Sequence, residues 1–203
     1  MINIVYNKGM HLMKLPCVMG VLRTPAGLII KKRITEYLEP RFHIFYVEQD
    51  PPGTMFEYPG IMFALKMAID LNKPTLYIHT KGAADPHHMW YQTPVKKLWA
   101  YEFGTAKVEK TYQRACTEVP TVICPIAGSA KQTWWNGMII NPVAAREIQK
   151  TFHFDTNRFY YEFSMCNIPT VNVVSSAVDG CFSEDDTNRL LREITKDMPD
   201  IDY

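Results

Sequence analysis

An α/β fold with a mainly parallel sheet flanked by helices is predicted by three observations. Apolar runs of strand length alternate with helical patterns over the first eighty residues. The connections between them are short, as right-handed crossovers allow. Proline punctuates the helical patterns, at Pro25 and Pro40 around the first and at Pro59 and Pro74 around the second.

The elements follow in order. Residues 2–6 (Ile-Asn-Ile-Val-Tyr) read as a first strand, expected in the sheet centre because it is apolar nearly throughout. Residues 11–22 are apolar, with helix and strand both open. Thr24-Pro25 then forms an N-cap with proline at the first helical position. Leu28, Ile29, Ile34 and Leu38 are the expected buried face, and Lys31, Lys32, Arg33 and Glu36 the wet one. Residues 43–47 give a second strand, and Gln49 to Gly53 a rigid loop. Tyr58-Pro59 opens a helix with Ile61, Leu65, Ala68 and Leu71 spaced for burial, and Asn72-Lys73-Pro74 stops it. Residues 75–79 follow as a strand, expected beside 2–6 and 43–47. Residues 83–93 read as a loop.

Pro94 starts a long helix expected to reach Cys116, with Leu98, Tyr101 and Val108 buried and Gly104 as a bend. Residues 120–126 form a strand whose prolines suggest a sheet edge. Residues 133–140 are a strand, or a strand after a turn. Asn141-Pro142 caps a short helix through Ile148. Residues 159–165 are helical, 170–174 a strand and 184–194 a closing helix, before an acidic tail. No internal repeat or linker divides residues 1–203, so one domain is expected.

Composition narrows the function classes. The 203 residues carry 22 Lys+Arg against 21 Asp+Glu, so no overall field draws the chain to nucleic acid or to an acidic membrane. Five cysteines, widely spaced and without a C-x-x-C pair, fit reduced thiols in a reducing compartment. The start of the chain lacks the pattern of a signal peptide, and no stretch approaches the ~20 apolar residues of a membrane span. A cytoplasmic protein without an integral membrane segment is expected. No Walker loop, G-x-G-x-x-G or G-x-S-x-G is present.

The densest chemistry lies where the strand at 75–79 ends. His79, Thr80 and Lys81 place an imidazole, a hydroxyl and an ammonium at a strand's carboxyl end, where open α/β sheets bind ligands. Gly82 lets the backbone turn or approach a ligand closely. Asp85, His87 and His88 follow, and with His79 offer nitrogen and oxygen donors for a divalent ion, although adjacent loop histidines more often face water. Trp134 and Trp135, adjacent on a strand, would point to opposite faces, one into the core and one free to stack on a sugar or base beside Asn136. Arg158 and Glu162 are four apart and would share a helix face, where a surface ion pair is the common explanation. Glu57, just before a helix, reads as an N-terminal charge.

Glu57-Tyr58-Pro59, the helix after it and Leu76-Tyr77-Ile78-His79-Thr80-Lys81-Gly82 resemble a family of glycosyltransferase-like proteins of polysaccharide gene clusters. Trp90 or Trp99, Thr133-Trp134-Trp135-Asn136 and Arg158 with Glu162 would be its later elements, so that the resemblance covers roughly residues 56–165. It implies a nucleotide-diphospho-sugar transferase-like fold, a reduced form of the glycosyltransferase-A type. It implies a nucleotide-sugar donor, a saccharide acceptor and surface-polysaccharide synthesis. His79 and Glu162 would be catalytic, with Glu162 the base for the acceptor hydroxyl. Thr80, Lys81, Gly82, Asp85, Trp134, Trp135, Asn136 and Arg158 would bind substrate. Transferases of that fold commonly hold Mn or Mg on an Asp-x-Asp at this strand end, but His79-Thr80-Lys81 stands there instead. A lysine can neutralise diphosphate oxygens as a point charge, so a metal-independent mechanism and one that uses a divalent ion, Mn or Mg, are both open. The alternative is a non-catalytic sugar- or nucleotide-binding protein of the same fold, or a transferase's partner.

Overall fold

The structure is a computed structural model, and it describes residues 3–6, 14–51, 55, 57–80, 92–128, 133, 137–157, 160–163, 168–181 and 184–198. Its strands are β1 (Asn3–Tyr6), β2 (Leu15–Leu22), β3 (Phe42–Gln49), β4 (Thr75–His79), β5 (Thr121–Gly128), β6 (Met138–Ile140) and β7 (Asn172–Cys181). Its helices are α1 (Pro25–Leu38), α2 (Tyr58–Leu71), α3 (Gln92–Gly104), α4 (Lys107–Ala115), α5 (Pro142–Gln149), α6 (Tyr160–Phe163) and α7 (Glu184–Thr195).

The strands form one sheet in the order β1-β3-β2-β4-β6-β5-β7. It is mixed rather than mainly parallel. The pairs β2–β3, β2–β4 and β5–β7 are parallel, and β1–β3, β4–β6 and β5–β6 are antiparallel. The expected neighbours also change. β1 is an antiparallel edge strand on β3, and Leu15–Leu22, from the ambiguous apolar run, form the strand between β3 and β4. β2 is buried along nearly its whole length, as a strand covered by helices on both faces must be. A continuous apolar run of that kind has no period, which is why helix and strand were both open.

The proline-bearing strand β5 is not an edge either, since β6 and β7 flank it. Its register against β7 shifts between Cys124 and Ile126, around Pro125. A bulge accommodates the missing N–H. Along β5 itself the facing changes at Pro125: Val122 and Cys124 face one core and Ile123 the other, while Ile126 joins Ile123.

Helices cover both faces of the sheet. On one side α1, α3, α4 and α7 bury Ile30, Ile34, Leu38, Leu98, Trp99, Phe103, Val108 and Leu191. On the other, α2 and α5 bury Ile61, Leu65, Ala68, Ala144, Ala145 and Ile148. Burying each large apolar side chain contributes roughly 1.5–3 kcal/mol. Three expected faces are corrected by this packing. In α1 the stripe runs through Gly27, Ile30, Ile34 and Leu38, which leaves Leu28 and Ile29 exposed. Leu71 and Tyr101 are likewise exposed. The single long helix from Pro94 is two, α3 and α4, separated at Thr105-Ala106. The Thr105 hydroxyl donates back to Tyr101 O and accepts from Lys107 N–H, which ends one helix and starts the next. No helix among the described residues is long and apolar enough to cross a membrane.

The caps agree with the sequence. The Thr24 hydroxyl accepts from Gly27 N–H at 3.0 Å, and the Asn141 side chain accepts from Ala144 N–H at 2.7 Å. Asn72 ends α2 in the left-handed conformation, φ 48°.

Candidate functional site

β2, β3 and β4 run parallel, so their carboxyl ends meet at one edge of the sheet, and His79 is the last residue of β4. The chain beyond it is tied down at once. Thr80 N–H donates to Gly20 O at 2.9 Å, and the Thr80 hydroxyl accepts from Leu22 N–H at 3.1 Å. Thr80 is nearly buried and locks the ends of β4 and β2 together. That bond fixes the backbone from which Lys81 and Gly82 leave.

His79 is held from several sides. Its Nε2 lies 3.7 Å from Glu57 Oε1, and both side chains are only about one-eighth exposed, at 13% and 12%. Its ring stands edge-on to Trp99, with centroids 5.5 Å apart and planes at 73°, and 6.1 Å from Tyr77. Tyr77 belongs to the core beneath α2 and Trp99 to the core beneath α3. The imidazole therefore sits where the two helix layers meet beyond the end of the sheet.

Glycines make room for this arrangement. A Cβ on Gly60 would lie 2.7 Å from Tyr77 Cε2, and one on Gly20 would lie 3.2 Å from Tyr77 Oη. A Cβ on Gly137 would overlap the Trp99 indole at Nε1. Burial pushes the Tyr77 phenol well above its ordinary range, and the Glu57 carboxylate and Tyr161 add to it. Tyr77 is therefore a neutral wall of the site at physiological pH.

Glu57 stands at the N-cap position of α2, a charge at the helix N-terminus as its place in the sequence suggests. Its side chain makes no cap hydrogen bond and lies against His79. The next residue, Tyr58, opens an aromatic surface on the same edge. Its ring stacks on Phe152 at 5.6 Å and 14°, and meets Phe154 edge-on at 5.8 Å. Phe152 in turn touches Tyr160 and Tyr161 of α6. Tyr161 is fully buried, and its hydroxyl donates to Asp155 O at 2.8 Å. Burial raises the Tyr161 phenol, although the Asp155 backbone bond pulls it back and Glu57 raises it further. Through these rings the structure brings α6, the helix that bears Glu162, to the entrance of α2 beside Glu57.

Two sequence-predicted residues, His79 and Thr80, thus lie together, and Trp99 joins them. For Glu162 the structure describes the backbone within α6 but not the side chain. Lys81, Gly82, Asp85, His87, His88, Trp90, Trp134, Trp135, Asn136 and Arg158 lie outside the described residues. Among the described residues no group of three His, Cys, Asp or Glu side chains could hold a metal ion, and Glu57 with His79 makes only a pair. Sequence reasoning missed Tyr58, Phe152, Phe154, Tyr160 and Tyr161 as one cluster. The signal available was local density, five aromatic residues between 152 and 161.

Two polar groupings lie near or apart from this edge. At the ends of β2 and β3, Arg23 bridges Asp50 at 3.2 Å and Glu48 at 3.6 Å, and Lys31 reaches Glu48 at 2.6 Å. On the α3, α4 and α7 side, a cavity of about 490 Å³ is lined by Leu98, Glu102, Lys107, Ala177, Glu193 and Met198 among others. Its floor is the buried Glu102 carboxylate, which pairs with Lys107 and accepts from the Ser176 hydroxyl at 2.7 Å.

No protein-family model, curated protein or solved structure matches this chain.

Proposed function

We propose that this protein is a glycosyltransferase that moves a sugar from a nucleotide-diphospho-sugar to a saccharide acceptor in surface-polysaccharide synthesis, with its reacting centre at the carboxyl end of β4. The observation that carries the reading is the Glu57–His79 pair, 3.7 Å apart, mostly buried and placed at the sheet edge where α/β folds take ligands. The resemblance of residues 76–82 to the transferase family supplies the chemistry.

In this reading the bond from the sugar's anomeric carbon to the diphosphate breaks, and the nucleoside diphosphate leaves with the electron pair. The acceptor oxygen forms the new bond and gives its proton to a carboxylate base, for which Glu162 is assigned. His79 is assigned to the diphosphate side of the site, and Glu57, 3.7 Å from its Nε2, orients the imidazole. Lys81, two residues beyond His79, is assigned to the diphosphate oxygens.

The test is release of nucleoside diphosphate from a panel of uridine- and guanosine-diphosphate sugars, with and without manganese. Wild-type protein should release diphosphate with at least one donor. Glu57→Gln should lower kcat by roughly 10²-fold with little change in donor KM, the size expected for losing one acid–base interaction. Nucleotide binding without release from any donor would leave the non-catalytic binding protein standing instead. Neither binding nor release would defeat both readings.

A further inference from the structure

We propose that the aromatic surface made by Tyr58, Phe154, Tyr160 and His153 is the acceptor subsite, and that it takes a pyranose ring by stacking. The inference rests on the transferase reading and names the place and chemistry of its second substrate.

The surface is built from an anchored base and an open top. Phe152 is 7% exposed and Tyr161 fully buried, and these two fix Tyr58 and Tyr160 from below. Phe154 is 41% exposed although its edge is clamped by Tyr58. A large apolar ring that rests against a second ring and is left partly in water offers apolar area to a partner that covers it. The rim is polar. The Tyr160 hydroxyl lies 3.3 Å from His153 Nδ1, and His153 Nε2 is 4.0 Å from the Asp155 carboxylate. The Glu57 carboxylate lies near enough to Tyr161 to raise its phenol, so the base of the surface adjoins the Glu57–His79 pair.

A pyranose fits this combination. One face of the ring is a patch of C–H groups that covers an aromatic ring, and its edge carries hydroxyls that donate to carboxylates and phenols. A nucleotide fits it less well. Asp155 stands at the rim of the surface, and a carboxylate there repels the phosphates that a stacked base would bring with it. The surface lies on the α2–α6 side of His79, and the acceptor is assigned there.

The test is a titration of the full-length chain with methyl glycosides of glucose, galactose, mannose, rhamnose and N-acetylglucosamine, followed by saturation-transfer NMR and by the aromatic signal of Phe154. At least one glycoside should bind and shift that signal. Phe154→Ala should weaken the saccharide about fivefold to tenfold, the size of one lost aromatic contact, while Phe154→Trp retains it. Uridine diphosphate affinity should change less than about twofold in either variant, since the subsite takes the saccharide and not the nucleotide. Thermal melting of both variants checks that an exposed side chain has been altered without unfolding the chain. Saccharide binding that ignores Phe154→Ala, or no binding of any glycoside, would overturn the subsite. Loss of the transferase reading gives a different result, absence of diphosphate release in wild-type protein whatever Phe154 does.

Discussion

Tyr77 shows how single residues shape the site. Its ring lies in the core beneath α2 and its hydroxyl end reaches the Glu57 backbone. The ring fits because Gly20 on β2 and Gly60 on α2 present no side chain to it. Gly60→Ala would drive a methyl group to 2.7 Å from Tyr77 Cε2, closer than van der Waals contact allows. The ring is fully buried and cannot swing away. The substitution should cost about 1–3 kcal/mol in denaturant melts, despite the better helix propensity of alanine. It should also perturb His79, which packs near the same ring. If Gly60→Ala left the protein as stable as wild type, the α2–β4 contact would be looser than this packing requires.

Among the elements, α5 depends most on one side chain. Asn141 is fully buried and uses both ends of its amide. Its Oδ1 accepts from Ala144 N–H at 2.7 Å and from Thr121 N–H at 3.1 Å, and its Nδ2 donates to Val119 O at 2.7 Å and Thr117 O at 3.0 Å. One residue therefore caps α5, starts β5 and orders the turn before it. Asn141→Ala would lose the cap and leave the buried N–H groups of Thr121 and Ala144 without their acceptor. A loss of about 3 kcal/mol or more in chemical denaturation is expected. Asn141→Asp keeps the cap acceptor but turns the donor end into an acceptor facing two carbonyl oxygens, so it should fare little better than alanine. A mild effect of Asn141→Asp would show that the Thr117 and Val119 bonds matter little to stability.

For the whole molecule, the buried tyrosines set an alkaline limit. Burial raises the phenols of Tyr46, Tyr77, Tyr160 and Tyr161 above their ordinary value, with neighbouring carboxylates adding to the effect in each. The folded state therefore holds these protons more tightly than the unfolded chain. Their contribution is fully present below the unfolded pKa of about 10 and is lost as pH rises through the folded values. Melting temperature should stay level toward pH ~10 and fall above it. Tyr77→Phe, which removes one of these protons, should make the fall shallower. A melting profile flat to pH ~12 would contradict the burial of these rings.

Much of this molecule is written locally. Thr24-Pro25, Tyr58-Pro59 and Asn141-Pro142 start helices, and Asn72 stops one, because capping and proline geometry act within a turn of chain. The alternation of strands and helices, and His79-Thr80 at a strand end, follow from the same short-range rules. Tertiary structure decided what local rules leave open. Strand order depends on which apolar runs pair across the chain, so β1 went to an antiparallel edge and the unpatterned run 15–22 filled the place between β3 and β4. Pro125 could enter an inner strand because its partner β7 absorbs a bulge. Ile30 won burial over Ile29 through contact with the sheet and α3, which a helical period alone can satisfy with either residue. Glu57 and Phe154 are distant from His79 in sequence, and only the packing of α2 against β4 and α5 brings a carboxylate and an aromatic surface to the end of that strand.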